Sequence, residues 1–522
     1  MKCKLRYKMR IIFLFSFTII FAQSQNFDLV ENRSEIALQH FMEGEFLLNQ
    51  GNYAMAILEF QEAVEADPDG ATIHVSIADA FRRLGKIRRA EKHLHIAIEI
   101  EPLDKEAYEM LGLLYLLEKK YDLAEKQFKA LVELDPDFSD YYFSLGDIYR
   151  LKNEKVKAIE YYLKTYEANS LATNALEKSL QIAININQFI QAEDICRLLL
   201  DEFPDDVKYW ETYRDIALFN QHFSKAIDAV DGLIEIHGLN VELLIHKSAI
   251  YRASHEEDTA LKILQQAFAL DSLNQDIYQE FVSLYMDMEN YEEALKYNNK
   301  FIELFPQDPR GFLNSAIVSM AIKEPIKATE ILIEHIGLLE GNFTAYSILG
   351  SAYNQLHEYE NAEQFLLKAM ALHSNAKNIQ HSLAMVWDSL HKWEKSDSLY
   401  QVLIDSDSTD AQALNNYAYS LSERNEQLEQ ALSYAKKAVQ LTPNSAPYLD
   451  TLGWIYYKMG SHTEAISYVE KSIKIDGKNA IVIEHLGDIL MENNQIYKAQ
   501  KIYKQALKLD EKNQTLKDKI SQ

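Results

Sequence analysis

Three short segments near the C-terminus carry the residues best suited to chemistry: Asn415 with Tyr419, Asp450 with Trp454 and Tyr457, and Glu484 with Asp488. Within each segment, offsets of four and seven put the side chains on one stripe of a helix. Amide and carboxylate groups beside tyrosine and tryptophan are the make-up of an interface anchor, so the chemistry expected here is recognition. Acids at the edge of an aromatic anchor favour a partner segment with lysine or arginine beside an apolar residue. In that role Tyr419, Trp454 and Tyr457 are expected to stand open to solvent, flanked by Asp450, Glu484 and Asp488.

Catalytic patterns are missing from the sequence. It has no glycine-rich phosphate loop, no nucleophile elbow and no HExxH helix. His93 and His95, two residues apart on a helix, point to different faces and make a poor metal site. No catalytic residue, metal or cofactor is expected.

The elements that must position the recognition residues are helices. With 16 glycines and 9 prolines in 522 residues, the chain has few turns, and 48% hydrophobic content excludes a disordered acidic chain. The net charge of −26 repels phosphate backbones and argues against nucleic acid as a ligand.

Residues 1–24 are a different material. Lys2, Lys4, Arg6, Lys8 and Arg10 precede an apolar run, Ile11 to Ala22, and Ala22-Gln23-Ser24 offers a cleavage site, the pattern of a secretory signal. The run is shorter than the ~20 residues a membrane-crossing helix needs. No cysteine follows it to take a lipid. The mature chain is expected to begin near Gln25, with no transmembrane span. One cysteine then remains, Cys196, so packing must stabilise the fold in place of disulfides.

An internal period organises nearly everything else. Pro68, Pro102, Pro136, Pro204, Pro306 and Pro443 lie at multiples of 34 residues, with one extra residue in the last interval. Alanines follow the same ruler from Ala56 through Ala90, Ala124 and onward to Ala362, then at Ala431, Ala465 and Ala499, with Ser396 as the single substitute. Because Ala418 keeps the register and Ala431 is one late, the extra residue lies within 419–430. Fourteen units run from Ala37 to Asn513, after a lead-in at 25–36. Gln514–Gln522, with Leu516 and Ile520 four apart, reads as a stub covering the last unit.

Each unit reads as two helices that approach closely where a small residue faces a large one. Gly44, Gly112, Gly146, Gly350, Gly453 and Gly487 mark the small site on the first helix. Leu180 and Arg214 depart from it, and looser pairing is expected in the fifth and sixth units. Cys196 falls where other units have Phe60 and Phe128, which makes it a core residue.

A 34-residue period with small-x-x-aromatic on the first helix, as in Gly350-x-x-Tyr353 and Leu449-x-x-Leu452-Gly453-x-x-Tyr456, and alanine on the second, as at Ala362 and Ala465, resembles the tetratricopeptide repeat family. The resemblance covers 37–513 and implies an all-α, right-handed superhelical solenoid of about fourteen helix-turn-helix repeats. It also implies that positions 2, 5, 9 and 12 of each first helix line a concave groove. Position 9 runs from Glu45, Asp79 and Asp147, read as a solvated face, through Leu113 and Ile317 to Tyr419 and Trp454. The family's carboxylate clamp needs cations where this chain has Asn415, Asn416, Pro447 and Thr451, so that client class is not implied. Asn416-Tyr417-Ala418-Tyr419 and Glu484-His485-Leu486-Gly487-Asp488 resemble the C-terminal segment of exported bacterial members.

The expected function is a non-catalytic scaffold or adaptor of the bacterial cell envelope, periplasmic, secreted or peripheral to the outer membrane, which binds partner proteins or peptides in its groove. Two alternatives stay open. A periplasmic holdase would use an apolar trough at Ile245, Met286, Leu313 and Met320, and a positioning subunit would serve an enzyme complex.

Overall fold

The computed structural model describes residues 35–521. The export segment expected at 1–24, and the lead-in up to residue 34, lie outside the described residues. Among those described there are twenty-nine helices, from residues 35–49 and Tyr53–Ala66 to Gln514–Ser521, and no strand.

First helices of 13 residues, such as Lys105–Leu117, alternate with second helices of 14, such as Tyr121–Leu134. Many first helices start behind an aspartate or asparagine whose side chain accepts otherwise unpaired N–H groups. Asp104 accepts from Glu106 and Ala107, and Asn479 from Ile481 and Val482. Between the two helices the fifteenth residue of each repeat is left-handed. It is glycine at Gly51, Gly85 and Gly460, but Lys119, Asn153 and His357 elsewhere, with φ of 59°, 62° and 58°. Such a residue costs about 1–2 kcal/mol outside glycine. A bond from the next N–H back across the turn, as from Lys120 to the Tyr115 carbonyl at 2.8 Å, offsets that cost. The extra residue of repeat twelve sits in this turn, where Gln427 is a second left-handed residue with φ 46°.

The packing follows from the small positions. All thirteen alanines of the register, and Ser396 in its place, are fully buried. A methyl at Gly112, Gly146 or Gly350 would come within 2.8, 2.6 and 2.6 Å of Phe128, Tyr162 and Leu366. In the fifth and sixth repeats, where the small residue is lost from the first helix, the crossing stays buried by other means. Leu180 is buried in one core with the smaller Cys196, so the large and small partners have exchanged helices. In repeat six the close approach moves to Gly232 on the second helix, against the Trp210 ring.

Neighbouring repeats are also latched by acids on second helices. Glu125 accepts from the Tyr149 hydroxyl at 2.7 Å and Lys152 at 2.6 Å, both in the next repeat. Glu193 takes Asn220 and His222 at 2.9 and 2.8 Å, with Lys225, and Glu363 takes the Trp387 indole at 2.8 Å, with Lys392.

The chain divides between Glu256 and Glu257 into two compact units. The first holds repeats one to six and the first helix of repeat seven; the second holds the rest. After repeat fourteen the period continues: Asn513 caps Gln514–Ser521 by accepting from the Leu516 N–H at 3.1 Å, and Leu516 is fully buried. The stub is therefore built as the opening of a further first helix.

Candidate partner-binding site

In the second unit the first helices of repeats eleven to fourteen, Lys377–Ser389, Ala411–Glu423, Ala446–Lys458 and Ala480–Glu492, enclose a cavity of about 500 Å³. Asn415, Tyr419 and Asp450 line it together. With them stand Met385 and Asp388 from repeat eleven, Asn416 from repeat twelve, and Ile481, Val482 and His485 from repeat fourteen; His357 and Asp476 also line it. No lysine or arginine lines it.

The polar groups are held from below. Both oxygens of Asp450 accept from the His485 ring, at 3.1 and 3.0 Å. Asp388 accepts from the Ser420 hydroxyl at 2.8 Å and the Tyr400 hydroxyl at 3.0 Å. Burial raises the Asp388 carboxyl above the ordinary aspartate range, against the pull of the Ser396, Ser420 and Tyr400 hydroxyls and of Arg424. Arg424 is itself bonded to Asp397 and paired with Glu426. Asn415, 6% exposed, donates its amide to the Asn416 oxygen at 3.2 Å, while its own side-chain oxygen is buried without a partner. Burial, then the charges of Glu423 and Asp450, pushes the Tyr419 hydroxyl up to about 12, so it stays protonated.

Four expected site residues lie elsewhere. Trp454 is 8% exposed, not open as expected: its indole N–H donates to Glu423 at 2.6 Å and its face stacks on His485 with centroids 4.1 Å apart. The three residues belong to three successive first helices, so Trp454 is a structural wall that orients the imidazole facing Asp450. Tyr457 is half-buried beside Trp454, at 4.9 Å between centroids. Glu484 and Asp488 are not free to meet a partner's cation. Lys519, from the terminal helix, lies 2.8 Å from Glu484 and 2.6 Å from Asp488, and the Tyr503 hydroxyl donates to Asp488 at 2.8 Å.

Family profiles described as tetratricopeptide repeat match residues 40–69, 75–137, 119–172, 275–308, 343–375, 409–478 and 482–513, together more than half of the sequence. The chain belongs to the tetratricopeptide repeat family. Distant likenesses among solved structures include the Naa15/Naa10 complex bound to HypK-THB, at 13% identity over 89% of this chain and 67% of that one, TM-score 0.39. Two others are Cut9 in its tetramer with Hcn1, at 13% over 95% and 98%, TM-score 0.38, and yeast Tom70, at 16% over 80% and 93%, TM-score 0.37. None of the curated proteins matches the chain.

Within this tetratricopeptide repeat chain, the further cavity residues fall at two positions of the repeat. Asp388 occupies position 12 of its first helix, one of the expected groove positions, and Asn416 and His485 occupy position 6, which is not among them. Reading position 12 along the chain would have found Asp388 and Asn354. The acidic lane of the first unit is satisfied internally: Asp79 binds Arg82 and Arg83, and Asp147 takes Tyr162, Lys178 and Arg150. Of the trough residues, Met286, Leu313 and Met320 are half-buried in the second unit and Ile245 in the first.

Residues that could have suggested chemistry are occupied structurally. Cys196 is fully buried and its thiol is pushed up to about 12 by burial, far from a reactive thiolate. His93 faces His74 at 3.0 Å, and burial, with the charges of His74 and Lys92, lowers it to about 4. His95 turns instead to Tyr115, at 3.2 Å. Among the described residues no group of three metal-ligating side chains occurs, and no helix is long and apolar enough to cross a membrane.

Proposed function

We propose that this repeat protein is a non-catalytic scaffold whose groove holds an extended segment of a partner protein. The observation that carries the reading is the cavity over repeats eleven to fourteen, where several successive first helices each contribute a polar or aromatic group to one concave space. Concave sites with a few convergent polar groups and apolar walls are where ligands bind. The basic, then apolar, N-terminal segment supports export to a bacterial envelope as the setting.

Two measurements test it. N-terminal sequencing of protein from the envelope fraction should start near Gln25, whereas an intact Met1 or Met9 in the membrane would overturn the cleaved-signal reading. Sedimentation velocity of the purified chain with its co-purifying proteins, identified by mass spectrometry, should give one stoichiometric complex, lost in Tyr419→Ala.

A specific feature favours the holdase as the second reading. Leu113 and Leu117, 46% and 68% exposed, form an apolar cleft with Met110 and Leu116 in the first unit. Protection of several unrelated denatured proteins, abolished by Leu113→Ser with Leu117→Ser, would establish it over the single-partner scaffold.

A further inference from the structure

In three places the chain supplies its own cation or imidazole to groove carboxylates from position 6 of the next first helix. Lys178 reaches back to Asp147 at 3.0 Å, over the Tyr162 ring whose hydroxyl donates to the same carboxylate. Lys519 repeats this at Asp488 and Glu484, over the Tyr503 ring. His485 does so at Asp450. The tyrosine is present a third time: Tyr400, at the same position as Tyr162 and Tyr503, donates to Asp388, which stands at position 12 where Asp147 and Asp488 stand at position 9. No lysine or arginine of the chain lines this site: position 9 of repeat eleven is Met385, and position 6 of repeat twelve is Asn416, whose oxygen is taken by the Asn415 amide.

We propose that a cation is supplied here in trans: the cavity beside Asp388 takes the lysine or arginine side chain of an extended segment of a protein partner. The inference rests on the groove-binding reading and names what that groove selects. Asp388 accepts from the Ser420 and Tyr400 hydroxyls, with Ser396 also acting on it, and a carboxylate's four lone pairs leave capacity for a further donor. The Asn415 oxygen, buried without a partner in the cavity wall, adds a neutral acceptor suited to the same group. Met385, Tyr419, Ile481 and Val482 supply apolar surface for the methylene stem of such a side chain. With carboxylates at Asp388, Asp450 and Asp476 and no lysine or arginine in the lining, the field selects positive charge.

The test is selection of displayed random heptapeptides on the purified full chain, repeated on Asn416→Lys and Asp388→Asn. Asn416→Lys places a cation of the chain's own in the cavity lining, at the position used by Lys178 and Lys519; Asp388→Asn keeps an acceptor for the hydroxyls and removes the charge. Thermal melting checks that each variant is folded, and Asp388→Asn, being nearly isosteric, stands in should the lysine disturb packing. The expected result is enrichment of peptides with a lysine or arginine at one register position, and affinity lower by about tenfold or more in both variants. Exchange of that basic residue for norleucine should produce a similar loss. Enriched peptides without a basic residue, or basic peptides held equally by the variants, would overturn the proposal while leaving groove binding intact. No enrichment on any of the proteins would overturn the groove reading beneath it. Spermidine or lysine amide binding as tightly as the peptide would assign the cavity to a free amine and overturn the protein-segment source.

Discussion

Asp147 in repeat four and Asp388 in repeat eleven sit on the same kind of first helix and accept from the same tyrosine of the repeat, yet they live in opposite electrostatic situations. Asp147 is surrounded by Tyr162, Lys178 and Arg150, which outweigh its burial and hold its carboxyl below the ordinary aspartate range. Asp388 is bonded to hydroxyls, and burial wins, so its carboxyl rises. A carboxylate closed by the chain's own lysine serves the solenoid. One left to hydroxyls beside a cavity keeps capacity for a donor from outside, which is what the proposed site needs.

What the two regions share can be tested first. Both depend on a small residue opposite a large one, so Gly146→Trp and Ala384→Trp should each destabilise by about 3 kcal/mol through overpacking, seen as a lower thermal midpoint. An unchanged midpoint in either would mean the register is misassigned there.

Next come the latches, where acids are fully paired. Glu125→Ala should cost about 2 kcal/mol, since it leaves Tyr149 and Lys152 without their acceptor. Burial alone would raise Glu125, but Lys129, Lys152 and Tyr149 outweigh it and lower it from 4.5 to about 2. Its folded value lies below its unfolded one. Its stabilisation is therefore complete above about pH 4.5 and is lost as the pH falls towards 2. Melting curves across that range should show the difference between wild type and Glu125→Gln shrinking on acidification.

The smallest effect carries the contrast in its sign. Asp147→Asn should lower stability by about 1 kcal/mol, because its partners are partly exposed. Asp388→Asn should leave stability unchanged or raise it. The folded state prefers Asp388 protonated, so the advantage of the asparagine variant should grow as the pH rises through the raised value and vanish in acid. A loss equal to that of Asp147→Asn at neutral pH would show the two carboxylates to be equivalent.

The repeat was legible in the sequence because its signals recur: alanine, proline and glycine mark close approach and helix ends at fixed intervals, and each recurrence reinforces the last. The left-handed fifteenth residue was less visible, since lysine, asparagine and histidine together occupy it more often than glycine and the turn's backbone bonds impose the conformation. The site was legible only in part. Asn415, Tyr419 and Asp450 meet in the cavity as their spacing suggested. Trp454 could not be placed from spacing, because what buries it is Glu423 in the repeat before and His485 in the repeat after, a relation across three helices. Glu484 and Asp488 were assigned to a partner for a similar reason: Lys519 lies beyond the last full repeat, and only continuation of the period brings it back onto them.

A photo-crosslinking residue at Tyr419, with a control at Val402, which is exposed on a second helix away from the cavity, probes the assigned face in the chain's own cells. Irradiation should give a discrete adduct from position 419 alone, and mass spectrometry should map it to a partner segment in which a lysine or arginine adjoins the crosslinked residue. Adducts from position 402 but not 419, or a mapped segment devoid of basic residues, would contradict the assignment of this cavity as the place where a partner's cation completes the repeat.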